Sequence, residues 1–161
     1  MNQAVLAAKT ETVKTITEKA KESQTIIVCE YRGLTVAQIQ EVRRALHKEN
    51  AEMNVYKNSL VERAVDELGY NEMNDILKGP NAIVFSKDVI GGAKVIAKYA
   101  KRHKDVLIVK GGVVEGKVVD AAGMLEVAKL PGKEGLISMF LSCLQAPIRS
   151  FACAVKAVAD K

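Results

Sequence analysis

The chain has 161 residues, a formal net charge of +5, 48% hydrophobic residues and 27% charged residues. The length predicts one globular domain with an appendage, and the composition excludes a disordered chain. The small excess of positive charge permits a polyanionic partner without requiring one. Aromatic residues make up only 4% and Trp is absent, so we expect a core of Val, Ile, Leu and Ala.

The cysteines and the apolar segments predict a soluble, cytoplasmic protein. Cys29, Cys143 and Cys153 form an odd set in apolar surroundings, which argues against a secreted disulfide framework and predicts buried, reduced thiols. The first 23 residues lack the continuous apolar segment of a secretion signal. The longest uncharged run, residues 135–148, has 14 residues, fewer than the ~20 that a membrane span requires.

The first third of the chain predicts a helix, a strand and a second helix. Residues 3–22 repeat at steps of three and four, as an amphipathic helix does. The β-branched run TIIVCEY at 25–31 predicts a buried strand. In the turn RGLT that follows, Thr35 is a candidate N-cap and Gln38 completes a capping box, which predicts a helix to about His47.

The middle of the chain repeats this alternation. The segment AEMNVYK at 51–57 predicts a second strand, and NSLVERAVDELG predicts a helix capped by Asn58 or Ser59 and ended by Gly69. A short polar helix or turn follows. The segment KGP at 78–80 then breaks the chain before a third predicted strand, AIVFS.

The next segments complete a predicted domain. Residues 88–102 predict another helix, VLIVKGGVV and GKVVD predict a strand and a hairpin, and AAGMLEVAKL predicts a short helix. Strands that alternate with helices predict an α/β (α+β) two-layer sandwich with helices packed on a mixed sheet. A C-terminal helix is expected to project from this sandwich.

Pro131 and Gly132 read as a hinge between two parts of the chain. We therefore predict a globular α/β domain over residues 1–130, a hinge at 131–132 and a C-terminal helix over 133–161.

No catalytic or metal-binding pattern stands out. The segment GGVVEGKV, from Gly111, resembles a Walker phosphate loop, but Val118 occupies the place of the Ser or Thr that would bind magnesium, and strand-like residues follow where a helix should begin. A hairpin turn is the better interpretation. His47 and His103 fall at predicted helix ends, where solvated histidines are common. We expect no enzyme activity, cofactor, metal or small-molecule substrate.

Basic residues occur at three turns, which contain Arg32, Lys57 and Lys78. Together they make a candidate anion-binding surface. Two of these turns follow strands and precede helices, so they are expected at one end of the sheet, where helix N-termini also present free amides. Such an end suits a phosphate backbone, and arginines on the second and third helices could widen it. The alternative is that these are solvated turn residues. The candidates are Arg32, Gly33, Arg43, Arg44, Lys57, Asn58, Arg63, Lys78 and Gly79.

Three motifs carry a resemblance to a known family. The segments YRGLT, YKNSL and KGPNAIVFS, in this order and spacing, resemble the bacterial stalk-base protein of the large ribosomal subunit, its tenth protein. The resemblance extends over essentially the whole chain, including VAKLPGKEGL and the apolar tail. Two cysteines and Pro147 in the tail depart from the family pattern, and they put the local helix geometry there in doubt.

The resemblance implies a role without catalysis. In this family the N-terminal domain binds large-subunit ribosomal RNA beside a neighbouring ribosomal protein. The C-terminal helix carries dimers of the acidic stalk protein, which recruit translation GTPases. On this chain the RNA face would include the three basic turns, namely Arg32, Gly33, Lys57, Asn58, Lys78 and Gly79.

The tail ISMFLSCLQAPIRSFACAV has the pattern of a docking helix. At helical periodicity its apolar residues form one stripe, and Ser142, Gln145 and Arg149 lie on another side. We expect this stripe to bind the stalk dimers. Its residues are Ile137, Phe140, Leu141, Leu144, Ile148, Phe151, Ala152 and Val155.

The stripe also contains a tandem repeat. Ile137, Phe140 and Leu144 recur as Ile148, Phe151 and Val155, each 11 residues on, a spacing that returns to nearly the same helix face. Two copies of one docking site predict two dimers, and a proline between the copies is expected to kink the helix.

The sequence is also compatible with other interpretations. The tail helix could instead pack on its own domain or, less favoured, lie at a membrane surface, for which its polar face offers few basic residues. For the whole chain, a generic RNA-binding module and a small enzyme with an unrecognised site stand beside the ribosomal scaffold.

Overall fold

The structure is a computed structural model, and it describes residues 3–103 and 106–159, with the side chains of residues 4–6 and 133 outside that description. The chain forms two compact units that meet between Lys129 and Leu130. The first unit contains five helices, five strands and a short 3₁₀ helix among the described residues, and the second contains one long helix.

The elements of the first unit alternate along the chain much as the sequence predicts. The strands are β1 (Thr25–Glu30), β2 (Ala51–Asn54), β3 (Asn81–Ser86), β4 (Ile108–Val114) and β5 (Lys117–Asp120). The helices are α1 (Gln3–Glu22), α2 (Val36–Lys48), α3 (Asn58–Leu68), α4 (Gly91–Arg102) and α5 (Ala121–Lys129), with the 3₁₀ helix at Asn71–Asp75.

The five strands form one sheet in the order β2-β3-β1-β4-β5. Every pair in it is antiparallel. The α/β class is therefore confirmed, but the expectation of a mixed sheet is wrong. The β1-α2-β2 segment has the pattern of a parallel pair, yet β3 inserts between those two strands and pairs with both.

Helices cover both faces of the sheet, so the expected two layers are three. On one face α2, α4 and α5 pack on Ile27, Met53 and Val84. On the other face α1 and α3 pack on Ile26, Ile83 and neighbouring residues. Since β1 and β3 lie inside the sheet and are covered on both sides, they are apolar along almost their whole length, as TIIVCE shows.

Local signals in the sequence are confirmed at one helix start and wrong at another. At α2 the side chain of Thr35 accepts from the backbone N–H of Gln38, whose side chain accepts in return from the N–H of Thr35. At α3 the cap is Lys57, without a side-chain hydrogen bond, and not Asn58 or Ser59. Gly69 ends α3 in the left-handed conformation, as predicted.

The hairpin interpretation of GGVVEGKV is confirmed. Val114 pairs with Lys117 across β4 and β5, which leaves a two-residue turn. Both turn residues have positive φ, 50° at Glu115 and 80° at Gly116, as a type I′ turn requires. Because Lys117 begins a strand here, the segment cannot present helix amides to a phosphate as a Walker loop does.

The second unit is the single helix α6 (Lys133–Ala159), which continues through Pro147. Its apolar residues are exposed, and among the described residues the unit has no second element to cover them. Cys143 and Cys153 are exposed too, so their predicted burial is wrong, whereas Cys29 in β1 is buried. The predicted kink at the proline stays a prediction.

By length and composition alone, Glu134–Ala159 could cross a membrane. The uncharged run in the sequence is shorter than a span, but a span tolerates a few charges such as Arg149 and Lys156. Length and composition therefore do not separate a docking helix from a membrane helix.

We predict that Ile27→Ala lowers the free energy of unfolding by about 2–5 kcal/mol, because Ile27 is fully buried and its removal leaves a cavity. The measurement is urea denaturation followed by circular dichroism. Ile108→Ala is the matched control: Ile108 is 49% exposed, so the decrease should be about 1 kcal/mol or less. Equal decreases in the two variants would contradict the assignment of the core.

Candidate nucleic-acid interface and docking helix

The antiparallel sheet brings the three basic turns together at one end of its strands. Because β1 and β2 are each antiparallel to β3, they run in the same direction. The turns with Arg32 and Lys57 leave the carboxyl ends of β1 and β2, and the turn with Lys78 enters the amino end of β3 beside them. We call this end of the sheet the basic edge. The sequence predicted a common end for the first two turns only.

Direct contacts hold the basic edge together. The Asn58 side-chain amide donates to the carbonyl oxygen of Gly79 over 2.8 Å, which ties the start of α3 to the turn before β3. Gly79 has φ of 97° and Gly33 has φ of 94°, a conformation that disfavours other residues. The two glycines therefore serve the turn geometry, and one polar group of Asn58 is engaged within the protein.

Lys110 is the residue of this edge that the sequence analysis missed. It lies at a register shift in β4, where Cys29 pairs with Val109 and Val28 pairs with Gly111, so Lys110 has no register partner on β1. A β-bulge of this kind re-aims a side chain. The two glycines after Lys110 in an apolar strand were the available signal.

The Lys110 ammonium group links three segments of the basic edge. It donates to the carbonyl oxygen of Lys78 over 2.7 Å and to Oδ1 of Asn81 over 2.9 Å, and its Nζ lies 3.1 Å from Oε2 of Glu30. An ammonium has three donors, and all three have partners here. Lys110 therefore positions the turn and has no donor left for a ligand.

The remaining cations of the basic edge are open to solvent. Arg32, Lys57 and Lys78 are exposed. Lys78 lies 3.2 Å from Oδ1 of Asp75. Because both side chains are exposed, this ion pair contributes little to the stability of the fold. Within the described residues, Arg32 and Lys57 form no ion pair. These side chains are free to meet an anion.

The two helix starts at the basic edge differ in what they offer an anion. The first turn of α2 is closed by its own capping box. At α3 no side chain caps the first turn, and the backbone N–H groups of Asn58 and Ser59 have no hydrogen-bond partner among the described residues. Free amides at a helix N-terminus attract anions through hydrogen bonding and the helix dipole.

The arginines that were expected to extend the anion-binding surface do not all lie on one face of the sheet. Arg43, Arg44 and Arg63 are all exposed, but α2 and α3 lie on opposite faces of the sheet. Arg43 and Arg63 therefore do not share one helical layer. Tyr31 packs against the core on the α2 side, and the Tyr56 ring contacts Phe85 edge-on at 6.4 Å between centroids, so both tyrosines have packing roles.

Two observations on the described residues bear on the alternative of an enzyme. Burial raises the pKa of the Cys29 thiol to about 12, so it stays protonated and is a poor nucleophile. Over residues 3–103 and 106–159, no group of three or more His, Cys, Asp or Glu side chains is placed to hold a metal.

The stripe on α6 is a large apolar surface on one helix. Phe140 is 65% exposed, Ile148 75% and Phe151 73%, and the other stripe residues are exposed as well. Exposed apolar surfaces of this kind mark interaction sites. Arg149 lies about a third of a turn around the helix from the stripe centre, with Ser142 and Lys156 on the same polar side.

Comparison with known proteins identifies the family. Residues 4–101 match the family model described as ribosomal protein L10, and residues 130–161 match the one described as ribosomal protein uL10 C-terminal region. The chain belongs to the ribosomal protein L10 family. The prediction made from YRGLT, YKNSL and KGPNAIVFS is confirmed. Residues 102–129, with Lys110, lie between the two matched segments.

Several L10 family members are similar along almost their whole length. The large ribosomal subunit protein uL10 of Bacillus licheniformis is 46% identical over 159 residues, which cover 98% of this chain and 95% of that protein. The uL10 proteins of Macrococcus caseolyticus and Staphylococcus epidermidis are also 46% identical, over 100% and 98% of this chain and 94% and 95% of their own lengths.

Membership of the L10 family settles the broad class of the protein. It is a structural component of the ribosome, in the bacterial cytoplasm, and not an enzyme. The prediction of a ribosomal protein without catalytic function is therefore confirmed.

We predict that Lys110→Met destabilises the protein by about 1–3 kcal/mol, because the change removes charged hydrogen bonds and leaves the half-buried Glu30 carboxylate without its partner. Urea denaturation measures this, and amide hydrogen exchange should be faster at the backbone amides of Lys78, Gly79 and Asn81. Lys117→Met is the control, since Lys117 is an exposed lysine of the neighbouring strand. The positioning role is wrong if exchange at 78–81 does not change.

Proposed function

We propose that the first unit binds large-subunit ribosomal RNA through the basic edge, beside a neighbouring ribosomal protein, as part of the large ribosomal subunit. The observation that carries this proposal is the convergence of Arg32, Lys57 and Lys78 at one edge, next to the uncapped start of α3. Cations and free amides are the groups that contact a nucleic-acid backbone. The similar proteins from other bacteria are large ribosomal subunit proteins, which supports the same assignment.

The residues of the basic edge divide into two roles. Arg32, Lys57 and Lys78 supply charge to the phosphates. Gly33, Gly79 and Asn58 shape the turns that hold those cations. Arg43 and Arg63 flank the edge on opposite helical layers, so a single RNA segment would reach them from different sides.

We further propose that α6 carries dimers of the acidic stalk protein, and that the resulting stalk recruits translation GTPases. The exposed apolar stripe supports this, since a lone helix in water does not keep such a surface without a partner. The charge of α6 also suits an acidic partner, because Arg149 and Lys156 lie on the polar side of the docking segment.

The tandem repeat supports two dimers. Ile137, Phe140 and Leu144 form the first cassette, and their counterparts 11 residues on form the second. Each large side chain that a partner buries is worth ~1.5–3 kcal/mol, so one cassette supplies several kcal/mol before the costs of association. In this arrangement Pro131 and Gly132 act as the hinge between the RNA-binding residues 1–130 and the docking helix over 133–161.

For the RNA interface we predict that Lys57→Ala weakens binding to the chain's own large-subunit ribosomal RNA. The slope of log affinity against log salt concentration should fall by about 0.7–0.9, because one phosphate is no longer neutralised by the protein. Filter binding at several salt concentrations measures the slope. Lys87→Ala is the matched control, because Lys87 is exposed and follows the opposite end of β3.

The RNA interface is wrong if the wild-type chain does not bind this RNA at low salt. It is also wrong if Lys57→Ala and Lys87→Ala give the same slope as the wild type.

For the docking helix we predict that Phe151→Asp removes one stalk dimer and leaves the other, because it places a charge in the second cassette alone. Native mass spectrometry of the chain co-expressed with the acidic stalk protein counts the dimers. Ser142→Asp adds the same charge on the polar side of the helix and should leave both dimers bound.

Release of both dimers, or of neither, in Phe151→Asp would overturn the tandem arrangement. Flotation of the chain with lipid vesicles in the absence of stalk protein would instead favour a membrane helix.

A further inference from the structure

The two helical layers of the first unit differ sharply in charge. Helices α2 and α4, on one face of the sheet, together carry seven Lys and Arg residues and one acidic residue. Helices α1 and α3, on the other face, carry five basic and six acidic residues. The positive charge of the first unit is therefore concentrated on the α2–α4 layer, of which the sequence analysis named only Arg43 and Arg44.

The cations of this layer form a continuous surface. Lys94, Lys98 and Lys101 are exposed and follow one side of α4 at steps of four and three. Arg44 and Lys48 follow one side of α2 at a step of four. An open groove of about 400 Å³ runs between the two helices and is lined by residues that include Arg44, Lys48 and Lys98. We call these five cations the α2–α4 face.

The acidic residues beside the α2–α4 face do not neutralise it. Glu41 accepts from the Tyr99 hydroxyl over 3.2 Å and from the Arg102 guanidinium over 3.0 Å, so its charge is already balanced. Glu49 lines the same groove, close to Gly91 at the start of α4, and its single carboxylate can offset only one of the five cations. Within the part of the chain that the structure describes, none of the five cations forms an ion pair.

The chemistry of the α2–α4 face favours a nucleic-acid backbone over a protein. Protein interfaces depend on a few large apolar anchors at their centre. No large apolar side chain of α4 is exposed among the described residues, and Val36 at the start of α2 is the one on that helix. A backbone of phosphates needs only cations at suitable spacing.

The α2–α4 face adjoins the basic edge. Arg102 ends α4, and the next residue, His103, accepts backbone hydrogen bonds from Val106 and Leu107. Val106 in turn lies against Gly33, where an added Cβ would approach it to 3.3 Å. An RNA bound at the turn with Arg32 can therefore continue over α4.

We infer that the α2–α4 face is a second contact surface for an RNA backbone, continuous with the basic edge. The inference rests on the proposed RNA-binding function. It adds a surface on one helical layer, and it assigns no RNA contact to α1 on the opposite layer.

The test compares two triple variants of the full chain that remove equal charge. Lys94→Ala with Lys98→Ala and Lys101→Ala changes the α2–α4 face, whereas Lys9→Ala with Lys14→Ala and Lys21→Ala changes α1 on the opposite layer. The probe is the same large-subunit ribosomal RNA. We expect the first variant to lower the salt slope by about 2–3, at 0.7–0.9 for each phosphate that the protein no longer neutralises, and the second to leave it unchanged.

A charge-reversed variant, Lys94→Glu with Lys98→Glu, should weaken binding further than the alanine variant. Thermal unfolding by circular dichroism checks that each variant is folded. Because the altered lysines are exposed or, at Lys9, half-buried, we expect melting temperatures close to that of the wild type.

The possible failures are distinguishable. If Lys57→Ala lowers the slope and the α4 variant does not, the inference is wrong while the proposed function stands. If the α1 variant lowers the slope as much as the α4 variant, net charge and not a face is responsible, and the inference is again wrong. If the wild type does not bind the RNA, both fail. Release of an acidic protein partner from the α4 variant, with the RNA slope unchanged, would assign the face to protein binding and overturn the inference.

Discussion

The insertion of β3 between β1 and β2 is the constraint on which the rest of the first unit depends. Backbone hydrogen bonds on both sides of β3 force β1 and β2 to run in the same direction without touching. Their carboxyl ends and the amino end of β3 then meet, and the residues that follow or precede those ends become neighbours although they are far apart in the chain. Arg32, Lys57 and Lys78 come together for this reason, and the Asn58 contact to Gly79 and the bridges from Lys110 then fix their turns.

The two units expose different kinds of surface, one mainly charged and the other apolar. In the first unit most large apolar side chains are buried on the two faces of the sheet. Its surface is dominated by charged side chains, with more positive charge on the α2–α4 layer than on the nearly neutral layer of α1 and α3. In the second unit the apolar side chains of one helix are exposed to solvent. Charge suits a partner that stays hydrated and exchangeable, since salt screens it, whereas an apolar stripe suits a partner that removes it from water permanently. The proposed scaffold, which would join RNA to protein subunits, needs both.

Much of the local structure follows from short-range signals. Thr35 and Gln38 cap α2 as predicted, Gly69 ends α3, and the Glu115-Gly116 turn makes the hairpin, because in each case the residues that decide the conformation are within a few positions of one another. The cap of α3 was mispredicted because Asn58, a good capping residue in isolation, donates its side-chain amide to Gly79 instead. That partner is 21 residues away, and nothing in the local sequence reveals it.

The sequence by itself determined the family, the α/β class, most element boundaries and the apolar repeat of α6, because periodicity, capping and motif order are written in neighbouring residues. Only the tertiary structure decided the antiparallel strand order, the helices on both faces, the bulge that aims Lys110 at the turn of Lys78, and the separation of Arg43 from Arg63. These features depend on which strands pair and which face each helix covers. Strand pairing and helix placement are determined by contacts between segments that are distant in the sequence. The free energy of these contacts is distributed over the whole core, so no single position in the sequence reveals them.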